Sequence, residues 1–153
     1  MENLKLRFPP ILVFLAVAAL VWVSAFLLPG DVNLHGAGNA FLVIGIGAGA
    51  YFGITGISEF RRARTTTSPT KLENVSAIVS AGIYSKTRNP MYLGLQFMLL
   101  GWAIYQGNLF SIAIALGFAG YITLFQIIPE EATLEENFGE EYMEYKARVR
   151  RWM

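Results

Sequence analysis

Apolar runs free of charge alternate with short polar segments along this chain. The first run covers residues 9–29, with no charged residue between Arg7 and Asp31. About 20 residues of helix cross the ~30 Å hydrocarbon core of a bilayer, so this run predicts a transmembrane helix. A cleaved leader is the alternative for such a run, but Ala25-Phe26-Leu27-Leu28 offers a poor small-residue cleavage site. The second run, 37–57, is also uncharged and carries Gly45, Gly49 and Gly53 at four-residue spacing, with Gly47 and Gly56 beside them. Small residues on one helix face let another backbone approach closely. Packing within the chain is the preferred reading of that stripe, and a homodimer through Gly45, Gly49 and Gly53 is the alternative. The third and fourth runs, 91–105 and 109–128, are separated only by Gln106-Gly107-Asn108, a turn-forming cluster that makes them antiparallel neighbours. The third is short for a full crossing.

Four spans in two hairpins are therefore expected, in an all-α integral membrane protein. Its organisation is a single domain over 1–153, with an N-terminal hairpin at 9–57 and the polar loop, second hairpin and tail at 58–153. Within the loop, Arg61-Arg62-Ala63-Arg64 reads as an anchor near anionic headgroups, and Thr65-Thr66-Thr67-Ser68-Pro69 as an irregular connection. Val75-Ser76-Ala77-Ile78-Val79 is apolar but too short to span, which leaves a strand-like or an interfacial segment open. Pro90 suits the first turn of a helix and Asn89 the N-cap before it. Beyond the fourth run, Leu134, Phe138, Tyr142, Tyr145, Val149 and Trp152 recur every three or four residues. Acidic residues come early in that stretch, and Lys146, Arg148, Arg150 and Arg151 come late. That order predicts an amphipathic helix oriented to suit its dipole, lying on the bilayer, closing a polar site as a lid, or both together.

Charge changes the picture through its distribution rather than its sum, which is +1. All twelve Lys and Arg residues fall before the first run, between the second and third, or after the fourth. The positive-inside bias then places both termini, the central loop and any chemistry there in the cytoplasm, at what reads as a prokaryotic inner membrane. Without cysteine there is no disulfide, thiol nucleophile or cysteine metal site, and the lone His35 argues against a histidine-built metal centre. Membrane lipids are the expected surroundings, and no nucleic-acid partner is expected. Arg88 at the membrane boundary reads equally as a snorkelling anchor or as a site residue. Glu130 and Glu131 directly follow the fourth run, where paired carboxylates are costly unless solvated or given a cation.

Four blocks, taken in order, resemble the isoprenylcysteine carboxyl methyltransferase family, to which phospholipid methyltransferases are related. They are Val79-Ser80-Ala81-Gly82-Ile83-Tyr84, Arg88-Asn89-Pro90-Met91-Tyr92-Leu93-Gly94, Pro129-Glu130-Glu131, and the stretch from Phe138 to Lys146. The resemblance covers roughly residues 58–153. It implies methyl transfer from S-adenosylmethionine to a lipid-like or prenylated acceptor, in a cytosolic pocket built by the last two helices, the preceding loop and the tail. Carried over by position, it assigns cofactor contacts to Ser76, Ala77, Ile78, Val79, Tyr84, Arg88 and Asn89, and to one of Glu130 and Glu131, preferably Glu131; Tyr92 joins the candidates by its residue type. No metal and no catalytic side chain is implied. Asn89 and Ser76 stand where eukaryotic members carry histidine, and Gln126 stands near a basic residue used close to the acceptor. These departures bear on the acceptor rather than on methyl transfer itself.

The residue types suit such a ligand. An arginine takes a carboxylate bidentately, a glutamate takes an ammonium or a ribose diol, and the faces of Tyr84 or Tyr92 attract a sulfonium. Methyl transfer from an activated donor needs chiefly alignment and exclusion of water. A carboxylate acceptor needs no deprotonation, whereas an amine acceptor requires a base, for which Glu130 or Glu131 is nearest. A phospholipid amine methyltransferase, or a non-catalytic membrane scaffold of the same fold, is the competing expectation.

Overall fold

The computed structural model of the chain describes residues 8–32, 36–63 and 77–153. Helix α1 (Pro10–Leu27) opens on a proline whose missing amide hydrogen is not needed in the first turn. Helix α2 (Ala37–Arg62) ends in Arg61 and Arg62, cations suited to the negative end of its dipole. A short 3-10 turn (Gly82–Ser85) precedes α3 (Pro90–Gln106), which again starts on a proline. Gly107 ends α3 at φ +62°. Asn108 then starts α4 (Leu109–Ile122) by accepting the amides of Phe110 and Ser111 with its side chain. The described residues contain no strand; Asp31 and Asn108 form one isolated antiparallel bridge.

Among the described residues, three helices are long and apolar enough to cross a membrane: Pro10–Leu27, Ala37–Arg62 and Leu109–Phe138. The third expected span is α3, which at 17 residues falls just short of these three. It is also the central one, packed against α1, α2 and α4. Eight of its residues are buried, against two in α1 and three in α2, so the outer helices shield it. Its inner side joins Leu99 and Ala103 to Val21 of α1 and to Ala115, Phe118 and Ile122 of α4.

The contact between α2 and α3 is backbone against backbone. A Cβ on Gly45 would stand 2.7 Å from the Phe97 carbonyl oxygen and 2.8 Å from the Gly101 Cα. One on Gly94 would stand 2.8 Å from the Gly49 carbonyl oxygen. Gly45 and Gly49 thus face α3 of the same chain, while a Cβ on Gly47 or Gly53 would meet nothing within 4 Å. Polar groups tie α1 to the other helices. The Ser24 and Ser111 hydroxyls lie 3.0 Å apart and both reach the Val21 carbonyl, and Trp102 Nε1 donates to Ala18 O at 3.3 Å.

The expectation of a single amphipathic helix after the fourth run needs correction. Helix α4 continues through a π-helical turn (Thr123–Ile127) into α5 (Ile128–Phe138), so Pro129 lies inside a long helix. A proline there lacks an amide donor and crowds the preceding turn. The wider turn, in which the Ile128 amide reaches back to Thr123 O, lies immediately before it and loosens the hydrogen-bond ladder at that point. The break comes at Gly139, whose φ of 53° with ψ of −123° is open to glycine alone, and α6 (Glu140–Arg148) follows. Val149 is extended and Trp152 lies beyond the last helix.

This packing predicts opposite responses from two neighbouring glycines. Gly45→Ala forces backbone apart and should destabilise by about 1–3 kcal/mol or more. Gly47→Ala adds a methyl in open space and should be neutral, or stabilising by up to about 1 kcal/mol through helix propensity. Thermal unfolding of the two variants in detergent checks the pair. Equal melting temperatures would refute the assigned interface.

Candidate functional site

Polar side chains converge where α1 and α3 begin and α2 and α4 run out, beneath α5, α6 and the tail. Arg88 sits on the loop just before α3, with its side chain only 9% exposed. Its Nη1 donates to Lys146 O at 3.0 Å and Val149 O at 2.7 Å, and its Nη2 donates to Glu131 Oε1 at 2.7 Å. Its own amide donates to Arg150 O at 3.0 Å. Among the described residues, Nε is buried without a partner. Arg88 is therefore no snorkelling anchor: the guanidinium is drawn inward and holds the tail.

The residues beside Arg88 do the same. Thr87 Oγ1 donates to Arg151 O at 3.2 Å, and Asn89 Nδ2 donates to the same oxygen at 3.0 Å. Asn89 occupies the position before α3, but its side chain makes no cap bond. The expected N-cap role is replaced by a hold on the tail, because the Arg151 carbonyl needs a donor there. Trp152 Nε1 then reaches Thr123 Oγ1 in the π-helical turn at 3.3 Å.

Glu131, 6% exposed, lies between two arginines. Arg151 forks onto it, Nε to Oε1 at 3.0 Å and Nη2 to Oε2 at 2.7 Å, while Arg88 takes Oε1 from the other side. Bidentate charge-assisted bonds of this kind are the strong class of hydrogen bond. The bond from Glu131 raises the pKa of Arg151 above its ordinary value, against an opposing effect of burial. Glu130 stands apart from this triad and accepts the Tyr92 hydroxyl at Oε1, 2.6 Å away.

Tyrosines line the same end. Tyr84 and Tyr145 are buried, and the Tyr145 hydroxyl donates to Tyr84 O at 2.8 Å. Burial pushes the Tyr84 hydroxyl pKa up, and neighbouring Tyr145, Glu130 and Glu59 push it further. Burial likewise raises Tyr142 and Tyr145, with Arg88 opposing in both. All three phenols therefore stay protonated across the physiological range.

The sequence-expected residues fall into three groups. Tyr84, Arg88, Asn89, Tyr92, Glu130 and Glu131 come together at this end. Of the loop stretch, Ala77, Ile78 and Val79 are half-buried in irregular chain, Ile78 packing on Tyr142, Tyr145 and Val149, and Ser76 lies outside the described residues. Gln126 is buried in the π-helical turn and donates to Phe8 O at 2.8 Å, which fastens the start of α1. Sequence reasoning missed Thr87, Tyr145 and especially Arg151, which it took for one more basic residue at a helix end. Nothing in the local pattern distinguishes Arg151 from Arg150. Beside Phe8, a groove of about 340 Å³ runs between α1 and α4, with Leu12, Ala16, Val17, Gly117 and Tyr121 among its apolar walls.

Removing Arg88 strips partners from both Glu131 and the tail. Arg88→Ala should cost about 3–5 kcal/mol, the usual range for breaking a buried ion pair on one side. Arg88→Lys should rescue little, since an ammonium lacks the planar fork that reaches three acceptors. Thermal unfolding, with trypsin cleavage after Lys146, Arg148 and Arg150 timed alongside, checks this. Unchanged melting and cleavage would mean that the tail is held by other contacts.

With this geometry in place, known proteins offer three comparisons. The family described as phospholipid methyltransferase matches residues 38–141, more than half of the chain. An uncharacterised protein of Haemophilus influenzae is 44% identical over 63 residues, which is 41% of this chain and all of that relative. The protein-S-isoprenylcysteine O-methyltransferase of Saccharomyces cerevisiae is 35% identical over 80 residues, or 52% of this chain. That alignment spans only 34% of the yeast protein's own length. No solved structure gives a significant match.

Proposed function

Because this chain belongs to the phospholipid methyltransferase family, we propose that it transfers a methyl group from S-adenosylmethionine to a lipid-like or lipidated acceptor at the membrane surface. The observation that carries the proposal is the pairing of a Tyr92-bound Glu130 with the Arg88–Glu131–Arg151 triad at one end of an apolar bundle. A scaffold has no evident need for three buried or half-buried charges and a carboxylate–phenol pair at such a boundary, where each costs desolvation.

The residues fit the donor in kind. It brings a sulfonium-activated methyl group, an ammonium, a carboxylate and an aromatic base. Glu130 provides an anion, and Tyr84 and Tyr92 provide aromatic faces and hydroxyls. In this reading the tail covers the site, with Val149 packed on Tyr142 and Tyr145 and Trp152 against the bundle core. Water exclusion and alignment then supply most of what an in-line methyl transfer requires. The groove between α1 and α4 is an apolar seat for the acceptor's hydrocarbon chain. In this reading all four apolar helices cross the bilayer, α3 within the shelter of the others. The end bearing Arg61, Lys86, Arg88, Lys146 and Arg151 faces the cytoplasm.

The match to the yeast O-methyltransferase favours a carboxyl acceptor, which reacts as the anion and needs no base. The family description favours a second reading, a phospholipid amine, which must lose a proton first.

Calorimetry on the purified protein in detergent should show saturable binding of S-adenosylmethionine and of S-adenosylhomocysteine. Labelled methyl should then pass either to a farnesylated cysteine or to phosphatidylethanolamine in mixed micelles, which separates the two acceptors. A folded protein that binds neither nucleoside would favour the scaffold.

A further inference from the structure

Helix α1 is tied to the bundle at two of its carbonyl oxygens, with the apolar groove between them. Gln126 Nε2 donates to Phe8 O at 2.8 Å, and Trp102 Nε1 donates to Ala18 O at 3.3 Å. The groove runs along α1 from Phe8 to Val17, so a side-chain donor stands at each end of it. On the α4 side, a Cβ on Gly117 would meet nothing within 4 Å, while Phe118 is braced edge-on by Phe14 at 6.4 Å. The nine residues from Phe8 to Val17 rise about 14 Å, and about 340 Å³ drawn out over that length is a channel roughly 5–6 Å across. One hydrocarbon chain fills such a channel. Two chains abreast, or a helix about 10–12 Å wide, do not fit.

A chain that leaves lipid for this groove gains no hydrophobic free energy, because lipid is as apolar as the walls. Fit decides instead. A chain too short leaves wall atoms without contacts, and one too long must pass the point where Ala18 is tied to Trp102. Gln126 is 1% exposed and its amide nitrogen is taken up by Phe8 O, so it bears on the groove through Phe8. Resting on the acceptor seat proposed above, we infer that the groove is a ruler for a single-chain amphiphile, and that Gln126 is a positioning residue that sets its head end by holding Phe8. A diacyl lipid has to leave its second chain outside. Helix α1 lies outside the family match at 38–141, so this selection belongs to the chain's own first helix.

The chain has no cysteine, so Ala16→Cys puts a lone thiol on the groove wall. Gly47→Cys puts one on α2 where a Cβ meets nothing, as a control. Labelling by N-ethylmaleimide is timed in phosphatidylcholine bilayer discs, without a methyl donor, as the N-acetyl-S-geranyl, S-farnesyl or S-geranylgeranyl derivative of cysteine is added. At ten times its dissociation constant, the best-fitting chain should slow labelling of Ala16→Cys about tenfold, in proportion to the free fraction. The other two lengths should protect less, and Gly47→Cys should not respond. Adding Gly117→Leu fills the groove from α4 and should abolish protection with the melting temperature kept. Adding Gln126→Leu should weaken the best chain about 5- to 10-fold and flatten the preference among lengths, a change that a merely structural role would not produce. Gln126→His keeps a donor and should restore part of that preference.

Equal protection by all three lengths overturns the inference, as do equal protection of Gly47→Cys and protection that survives Gly117→Leu. Slowing of the same size by dioleoylphosphatidylethanolamine at the same content overturns it too. An unaltered length preference in Gln126→Leu removes Gln126 from it. Should Gln126→Leu fail to fold, Phe8→Ala, which takes away the head-end wall, decides by the same length preference. Protection without any methyl transfer would leave the ruler standing and sink the methyl-transfer reading. Methyl transfer without protection would do the reverse.

Discussion

A guanidinium withdrawn from water just before α3 governs how the polar half of this molecule assembles. In a medium of low dielectric, a positive charge persists only where acceptors surround it, and removing any one of them leaves the rest under-compensated. Arg88 finds those acceptors 43 residues away on α5 and 58 and 61 residues away on α6 and the tail. Loop, helix and tail must therefore be in place together. The hold on Glu131 by Arg151, the bonds from Thr87 and Asn89 to the tail carbonyl, and the insertion of Trp152 against Thr123 all lie within that arrangement.

Above this polar end, a different constraint operates. Lipid offers helices no hydrophobic reason to associate, so close packing and a few polar contacts must hold the bundle. Helix α3 meets that requirement by touching α2 at glycines, close enough that a single methyl group would strike backbone. Its connection to α1 through Trp102, together with the shared Val21 carbonyl between α1 and α4, adds polar links where few alternatives for those groups exist. The rigid bundle fixes Tyr92 on α3 and Glu130 on α5 at hydrogen-bond distance, which loops alone would hold less precisely in place.

The π-helical turn connects these two regimes. It lies between the apolar α4 and the acidic start of α5, where the helix continues through Pro129. In doing so it turns Gln126 toward Phe8 at the start of α1 and supplies Thr123 for Trp152. The start of α1 and the tail are thus fastened at one irregular turn, next to the two glutamates. Pro129 follows directly on the place where the helix is locally widened.

The apolar periodicity, the basic residues confined to one set of segments and the short turn at 106–108 were enough by themselves to determine an all-helical chain of membrane-crossing length, with its polar chemistry at one end. Those features depend on local propensity and on the cost of moving charge into hydrocarbon, both of which are written along the chain. The family blocks also brought Tyr84, Arg88, Asn89, Tyr92, Glu130 and Glu131 to attention. What they do there was a matter for the tertiary structure. Whether Asn89 caps a helix or holds the tail, which glutamate meets the two arginines, and why Arg151 differs from Arg150 all depend on which groups meet across 20 to 62 residues of chain. Sequence spacing carries no record of those meetings, because a buried charge is defined by the partners that surround it and not by its neighbours in the chain.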